Sequence, residues 1–291
     1  MIETVEKDFL QSYFIWKEIV TSDPNTFGGL QFPLTQEKWI NLMREKAHPF
    51  CPICRSIGSY IIEEEKNNVV VARYVVKCLC NVARWTREQE IMTAEWKDPF
   101  RPTRWDEIKP SEAYGSIVQY QKAAPVTKET LEGLLNLAKG KNLRWHLIRG
   151  MFGSGKTTML KALATELSPI ATYVTAGNLK NHFRNAAMEE EGLSRLINAF
   201  SKVRILLIDD FGMEFDGSGY TTKTLRTIID NRMAWAERFP TVMTTNLPVT
   251  HEGLMNMRNA DDIRAIISRF SDQEYSDVHQ LMQGDARMGK K

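Results

Sequence analysis

The residues best suited to chemistry are Gly150-Met151-Phe152-Gly153-Ser154-Gly155-Lys156-Thr157, followed by Thr158. The Gly-x4-Gly-Lys-Thr spacing fits the phosphates of a nucleoside triphosphate. Glycines at 150, 153 and 155 permit backbone angles that turn several N–H groups into one concavity, where phosphate oxygens bind. A helix starting at Lys156 would aim its positive end at the same anion. Lys156 is expected to reach the β and γ phosphates of ATP, and the Thr157 hydroxyl to ligate Mg²⁺. Ser154 and Thr158 complete the candidate nucleotide-binding set. The plain alternative is a glycine-rich turn. Against it, an apolar strand precedes the loop and a helix follows, which is the setting a phosphate loop requires.

A second element is Arg204-Ile205-Leu206-Leu207-Ile208-Asp209-Asp210, an apolar strand ending in two acids. In an open parallel sheet, ligands bind beyond the carboxyl ends of the strands, so these acids would face the phosphates. Asp209 is expected to hold Mg²⁺, directly or through water, and Asp210 to orient the attacking water. The alternative is a pair of solvated acids. A third strand ends in Thr244-Thr245-Asn246. Asn246 could hydrogen-bond the attacking water or the γ-phosphate, or could cap the turn before Pro248.

A different chemistry is suggested by Cys51-Pro52-Ile53-Cys54 and Cys78-Leu79-Cys80, the four cysteines of the chain. Two pairs bracketing a hairpin can present four thiolates to a structural Zn²⁺. His48 lies close enough in sequence to replace one of them. Buried cysteines without metal are the alternative. A redox Cys-x-x-Cys is disfavoured because no thioredoxin-like unit surrounds it.

The elements that must position these residues fall into two regions. Val5, Phe9, Leu10, Tyr13, Phe14, Trp16, Ile19 and Val20 suit one helix with a broad apolar face, either packed on its own core or docking a partner. A short helix is expected from Thr35 to about Lys46. Residues 59–62 and 69–76 read as strands joined by a turn at Lys66-Asn67-Asn68. Residues 85–110, rich in Trp, Arg, Lys and Pro, read as a connector. Beyond it, Thr127 should cap a helix closed by Gly140. Strands are expected at 145–148, 171–175, 203–208 and 241–245, with helices at 156–166, 179–189 and 221–238 between them. Strands separated by helices mean an α/β fold, a parallel sheet flanked by helices on both faces. The expected domains are 1–110, helical and zinc-binding, and 111–291, carrying the phosphate loop.

Composition adds bounds. The 291 residues fit two domains, and 43% hydrophobic residues supply an ordinary core. A formal net charge of +2 does not demand a nucleic-acid partner, nor does it exclude a local basic patch. Lys122, Lys180, His182, Arg184 and Lys202 could line such a path, with Tyr173 or Phe183 stacking on bases. No apolar run is long enough to cross a bilayer, and the first residues are too acidic for a secretory signal, so a cytoplasmic location and no membrane partner are expected.

Gly150–Thr157, Leu206–Gly212 and Thr244-Thr245-Asn246-Leu247 resemble the Walker A, Walker B and sensor I motifs of AAA+ ATPases. They are most similar to the DnaC/DnaI/IstB group. In that group a Ser-Arg motif after sensor I supplies an arginine finger to the neighbouring subunit. Ile266-Ile267-Ser268-Arg269-Phe270 matches it, which makes Arg269 the finger candidate and Arg264 the second. Gly284-Asp285-Ala286-Arg287 resembles the sensor II element, so Arg287 would meet the nucleotide, with a truncated lid implied. The cysteine pattern resembles the N-terminal zinc module of DnaI-like loaders. The resemblance therefore implies an ATPase with sites shared between subunits of a homo-oligomer. Its implied role is to load a replicative helicase onto single-stranded DNA. The alternative within the group is an IstB- or TnsC-like regulator that polymerises on duplex DNA and recruits a transposase.

Overall fold

The computed structural model describes residues 4–6, 11–15, 18, 59–66, 69–78, 130, 132–167, 170–189, 191–212, 219–247 and 259–281. The chain divides into two compact units, Met1–Met92 and Thr93–Lys291. The connector at 85–110 and the helix expected at 35–46 lie outside the described residues.

In the first unit, β2 (Ser59–Lys66) and β3 (Val69–Lys77) pair antiparallel, as their β-branched content predicts, with a bulge at Glu64/Glu65. An ion pair at 2.7 Å joins the directly opposed Glu63 and Arg73. The single helix expected from residue 5 is corrected at its start. Thr4–Glu6 forms a strand, β1, that pairs parallel with β3 on the side away from β2. Thr4 and Val5 are β-branched, and β3 offers them an open edge. Helix follows at 11–15, where Tyr13 and Phe14 are buried and meet edge to face. These two aromatics are thus core residues of this unit.

The second unit carries a five-stranded sheet, all of whose pairings are parallel, in the order β5-β6-β7-β4-β8. After helix α1 (132–138) come β4 (Trp145–Gly150), α2 (Lys156–Glu166), β5 (Ala171–Thr175), α3 (Ala176–Ala186) and α4 (Gly192–Lys202). Then follow β6 (Ile205–Phe211), α5 (Tyr220–Met233), β7 (Thr241–Thr245), α6 (Ala260–Phe270) and β8 (Ser276–Leu281). The parallel α/β architecture predicted for this region is present. Helix α5 ends at Met233, short of the expected 238, and α3 starts at Ala176, capped by Thr175 Oγ1 accepting from the Asn178 N–H. The sequence expectations contain none of α4, α6 and β8.

Alternation along the strands divides the sheet into two faces. Trp145, Leu147, Val174, Leu206, Ile208 and Met243 pack against α3, α4, α5 and α6 in one apolar cluster with Phe183, Phe200, Ile228, Ile266 and Phe270. Trp145 and Phe270 meet with ring centroids 5.0 Å apart. Tyr173, Leu207, Asp209, Val242 and Thr244 occupy the opposite face, together with His146 and Ile148.

Two buried polar features brace this arrangement. Arg232 on α5 is fully buried, with no carboxylate partner among the described residues. Its guanidinium donates to the carbonyls of Phe200, Ser201, Val203, Phe239 and Pro240 and to Thr241 Oγ1, at 2.7–3.4 Å. Three of those carbonyls close the C-terminus of α4, where helical acceptors otherwise lack donors. Burial lowers the Arg232 pKa to about 9. At the other side of the sheet, His146 on β4 and His279 on β8 stack, with Nδ1 and Nε2 3.0 Å apart. Burial first, then His279 and Arg144, push His146 down to about 3, so it is held neutral. Arg144 locks the same edge through Asp277 at 2.9 Å and the carbonyls of Gln273, Glu274 and Ser276.

Candidate functional site

The phosphate loop joins β4 to α2. Gly153 and Gly155 take left-handed angles, φ 75° and 90°, that side chains with a Cβ rarely adopt. At Gly150 the need is space: a Cβ would lie 2.9 Å from both the Leu281 carbonyl oxygen and Ser154 Oγ. No side chain caps the N-terminus of α2, and its first turn holds no acid. Its leading amides and positive end are therefore presented to the loop. Ser154 is buried, Thr157 half-buried and Thr158 exposed.

Lys156 is buried and turned into the loop. Its ammonium donates to the carbonyls of Gly150 and Met151, each at 2.8 Å, to Ser154 Oγ at 3.3 Å and to Asn246 Oδ1 at 2.6 Å. Burial lowers its pKa, while Asp210 and Asp209 act in the opposite direction. Asn246 thus ties the loop to β7. Asn246 also lies beside Asp210 and favours its charged form, so Lys156, Asn246 and Asp210 come together from three segments.

The two acids depart from expectation in an informative way. They do not end β6; the strand continues to Phe211. The register shifts between Ile208, opposite Met243, and Phe211, opposite Thr245. Asp209 and Asp210 together therefore oppose the single residue Thr244, which is the two-against-one count of a β-bulge. Asp210 sits at φ 56°, in the left-handed region that Asp tolerates better than most residues. In a regular strand consecutive side chains point to opposite faces; the bulge re-aims Asp210 towards Asn246.

Asp209 is buried, and each of its carboxylate oxygens receives a hydroxyl proton. Tyr173 on β5 donates to Oδ2 at 2.8 Å, and Thr244 on β7 donates to Oδ1 at 2.5 Å. Burial first, and then Asp209, raise the Asp210 carboxyl above its usual range, partly offset by Lys156 and Asn246. The result is a half-buried carboxyl beside a buried carboxylate, facing a lysine ammonium at the mouth of a glycine cradle. That set has the chemistry to bind a triphosphate and to present a carboxylate to a water.

The model of the family described as "ATPase family associated with various cellular activities (AAA)" matches residues 146–268, from β4 into α6. Residues 146–268 are a AAA-family domain. The chain is 32% identical over 115 residues to the replicative helicase loader DnaI of Bacillus subtilis (strain 168), covering 37% of this chain and 34% of that relative. It thus spans about a third of the length of the curated relative that it matches. A crystal structure of DnaI overlays 62% of this chain and 91% of its own, at 19% identity and a TM-score of 0.44. AMPPCP-bound DnaA from Aquifex aeolicus overlays 66% and 54%, at 20% identity and a TM-score of 0.44.

Within the AAA domain the structure brings together Gly150, Gly153, Ser154, Gly155, Lys156, Asp209, Asp210 and Asn246. Arg269 is engaged elsewhere. On the last turn of α6, its Nε donates to Asp230 of α5 at 3.0 Å. Arg226 approaches the same carboxylate at 3.6 Å and binds Asp262 at 2.8 Å. Arg264, the second finger candidate, pairs with Asp261. Arg287 lies outside the described residues, as do Cys51, Cys54, Cys80 and His48. Cys78 is buried at the end of β3. Among the described residues no group of three or more His, Cys, Asp or Glu side chains could hold a metal.

The stacking role considered for Tyr173 and Phe183 is corrected. Phe183 is in the apolar core, and Tyr173 is buried with its hydroxyl on Asp209, so neither ring has a face open to a base. Lys180 and His182 are half-buried, and Arg184 and Lys202 are exposed. Thr244 and Tyr173 carry site geometry that the sequence did not reveal, since a threonine in an apolar strand reads as an ordinary strand residue. No helix among the described residues is long and apolar enough to cross a membrane.

Proposed function

We propose that this protein is an ATPase that loads a replicative DNA helicase, assembling on the helicase and single-stranded DNA under the control of ATP. The observation that carries the ATPase reading is Lys156, turned into the glycine loop and bonded to Asn246, facing Asp210 and the doubly held Asp209. The loader role is supported by the 32% identity over 115 residues to a replicative helicase loader.

In this reading the loop amides and Lys156 bind the β and γ phosphates, with Gly150, Gly153, Ser154, Gly155 and Thr158 shaping the cradle. Lys156 exchanges loop carbonyls for phosphate oxygens, and Asn246 orients the γ-phosphate or the attacking water. Asp210, with its raised pKa, is suited to accept a proton from that water. Mg²⁺, when bound by Thr157 and Asp209, supplies charge neutralisation on the phosphates. Because both Asp209 oxygens already accept hydroxyl protons, Asp209 suits a hold through water. Arg269 leaves Asp230 to complete the site of a neighbouring subunit, and Arg287 adds a further contact. ATP then acts as a conformational switch. Residues 1–110 form the partner domain, with Zn²⁺ on Cys51, Cys54, Cys78 and Cys80, and 111–291 form the motor.

The deciding experiment is capture of purified replicative helicase by the full-length protein with and without ATP. Stable helicase binding that needs residues 1–110 supports the loader. ATP-dependent filaments on duplex DNA with no helicase binding would overturn it in favour of a transposition regulator. In parallel, Lys156→Ala should abolish nucleotide binding; retained binding sinks the phosphate-site assignment.

A further inference from the structure

The β6 bulge needs something to hold it, and the structure shows what does. Where two residues face one, the regular ladder is broken and an amide loses its carbonyl partner. At Asp210 that amide donates instead to the side chain of Thr244, 2.9 Å away. The same hydroxyl gives its own proton to Asp209 Oδ1. One buried oxygen thereby accepts from the backbone of one acid and donates to the side chain of the other. Thr245 fastens the strand just beyond the bulge, its hydroxyl donating to the Phe211 carbonyl at 2.8 Å.

We propose that Thr244 is a positioning residue for ATP hydrolysis: its hydroxyl locks the β6 bulge and so sets Asp209 and Asp210 together at the phosphate site. The inference rests on the hydrolytic reading above and adds to it the device that fixes the two acids. Without the Thr244 bonds, Asp210 loses the contact that offsets its left-handed backbone, and Asp209 keeps only the Tyr173 hydroxyl. Asp210 then relaxes towards the opposite face of the sheet, away from Asn246. Nucleotide capture through the loop amides and Lys156 does not depend on either bond.

The test compares full-length parent, Thr244→Val, Thr244→Ser, Tyr173→Phe and Lys156→Ala. Valine keeps the shape and removes both bonds; serine keeps the hydroxyl. Thr244→Val should lower single-turnover hydrolysis by about 10–100-fold and raise the half-saturating Mg²⁺ about tenfold, the scale typical of residues that orient ligands from behind. Binding of a fluorescent ATP analogue should stay within about threefold, because the interaction lost serves the transition state and not the ground state. Thr244→Ser should recover most of the rate, and Tyr173→Phe should fall between parent and valine variant. Hydrogen exchange supplies a readout independent of turnover: the Asp210 amide should be protected in parent and serine variant and exposed in the valine variant.

A parent no faster than Lys156→Ala would overturn the hydrolytic reading and this one with it. An active parent whose Thr244→Val variant keeps its rate overturns only the positioning role, as does a serine variant as slow as valine. Should the valine variant fail to fold, the parent decides: an Asp210 amide exchanging at the unprotected rate refutes the lock.

Discussion

Replacing Arg232 by Met tests how the unit that carries the phosphate loop is held together. The methionine keeps the aliphatic volume and removes every donor. Of the six acceptors, Ser201 is the longest contact at 3.4 Å, and Pro240 retains the Leu206 N–H at 3.2 Å. Phe239 likewise keeps the Thr241 hydroxyl at 3.2 Å, so Phe200, Val203 and Thr241 Oγ1 are the acceptors that lose their donor, at 2.7–3.0 Å in a fully buried setting. At about 1 kcal/mol for each buried acceptor deprived of its donor, the loss is about 3 kcal/mol. Relief from burying a cation offsets part of this, leaving about 2 kcal/mol. Urea unfolding followed by tryptophan fluorescence, with a slope of about 2 kcal/mol/M, should then show a midpoint about 1 M lower. Arg232→Lys keeps the charge but cannot span the acceptors, and should fall about halfway. A Met variant within about 0.3 M of parent would refute the reasoning, for it would mean the carbonyls find other donors at little cost.

Three further outcomes are expected. His146 is neutral in the fold down to about pH 3, whereas the unfolded chain protonates it below 6.5. Stability should therefore fall as pH drops from 6.5 towards 3, by about 1.4 kcal/mol per pH unit from this group. His146→Phe should flatten that part of the urea-midpoint profile, and an unchanged slope rejects the assignment. Arg269→Ala should bind ATP like the parent yet lose about 10³-fold or more of assembly-stimulated hydrolysis, as loss of an arginine finger does; normal hydrolysis by the assembled variant removes the trans role. Metal analysis of the native protein should find about one zinc per chain, lost when Cys51 and Cys54 become Ser; metal-free native protein sinks the zinc module.

The site was legible in the sequence wherever function is written in one continuous segment. The phosphate loop needs its glycines, its lysine and the helix behind it within a few residues, so 150–158 announces itself. The acids were legible as residues and not as geometry. What makes Asp209 and Asp210 neighbours on one side of the sheet is their opposition to Thr244, a property of β6–β7 register that local sequence does not encode. Strand β8 is obscured for a different reason. Ser276-Asp277-Val278-His279-Gln280-Leu281 is polar because it is an edge strand, and its pairing with β4 is set by Arg144, Asp277 and the histidine pair. Helix α4 was readable, since Leu193, Leu196, Ile197 and Phe200 repeat at helical spacing, although Gly192 at its start gives no cap signal.

The place of β4 between β7 and β8 also dictates a schedule. His146 on β4 pairs with Val242 on one side and Asp277 on the other, both made long after it. Ribosomes add about 5–20 residues per second, so the roughly 130 residues from Trp145 to Ser276 take on the order of ten seconds to emerge. Until β7 emerges the strand that leads into the phosphate loop has neither of its sheet neighbours, and until β8 emerges it has at most one. The motif that is written earliest in the motor is thus the last to be finished, and a nascent chain cannot hold a completed nucleotide cradle until β8 has left the ribosome.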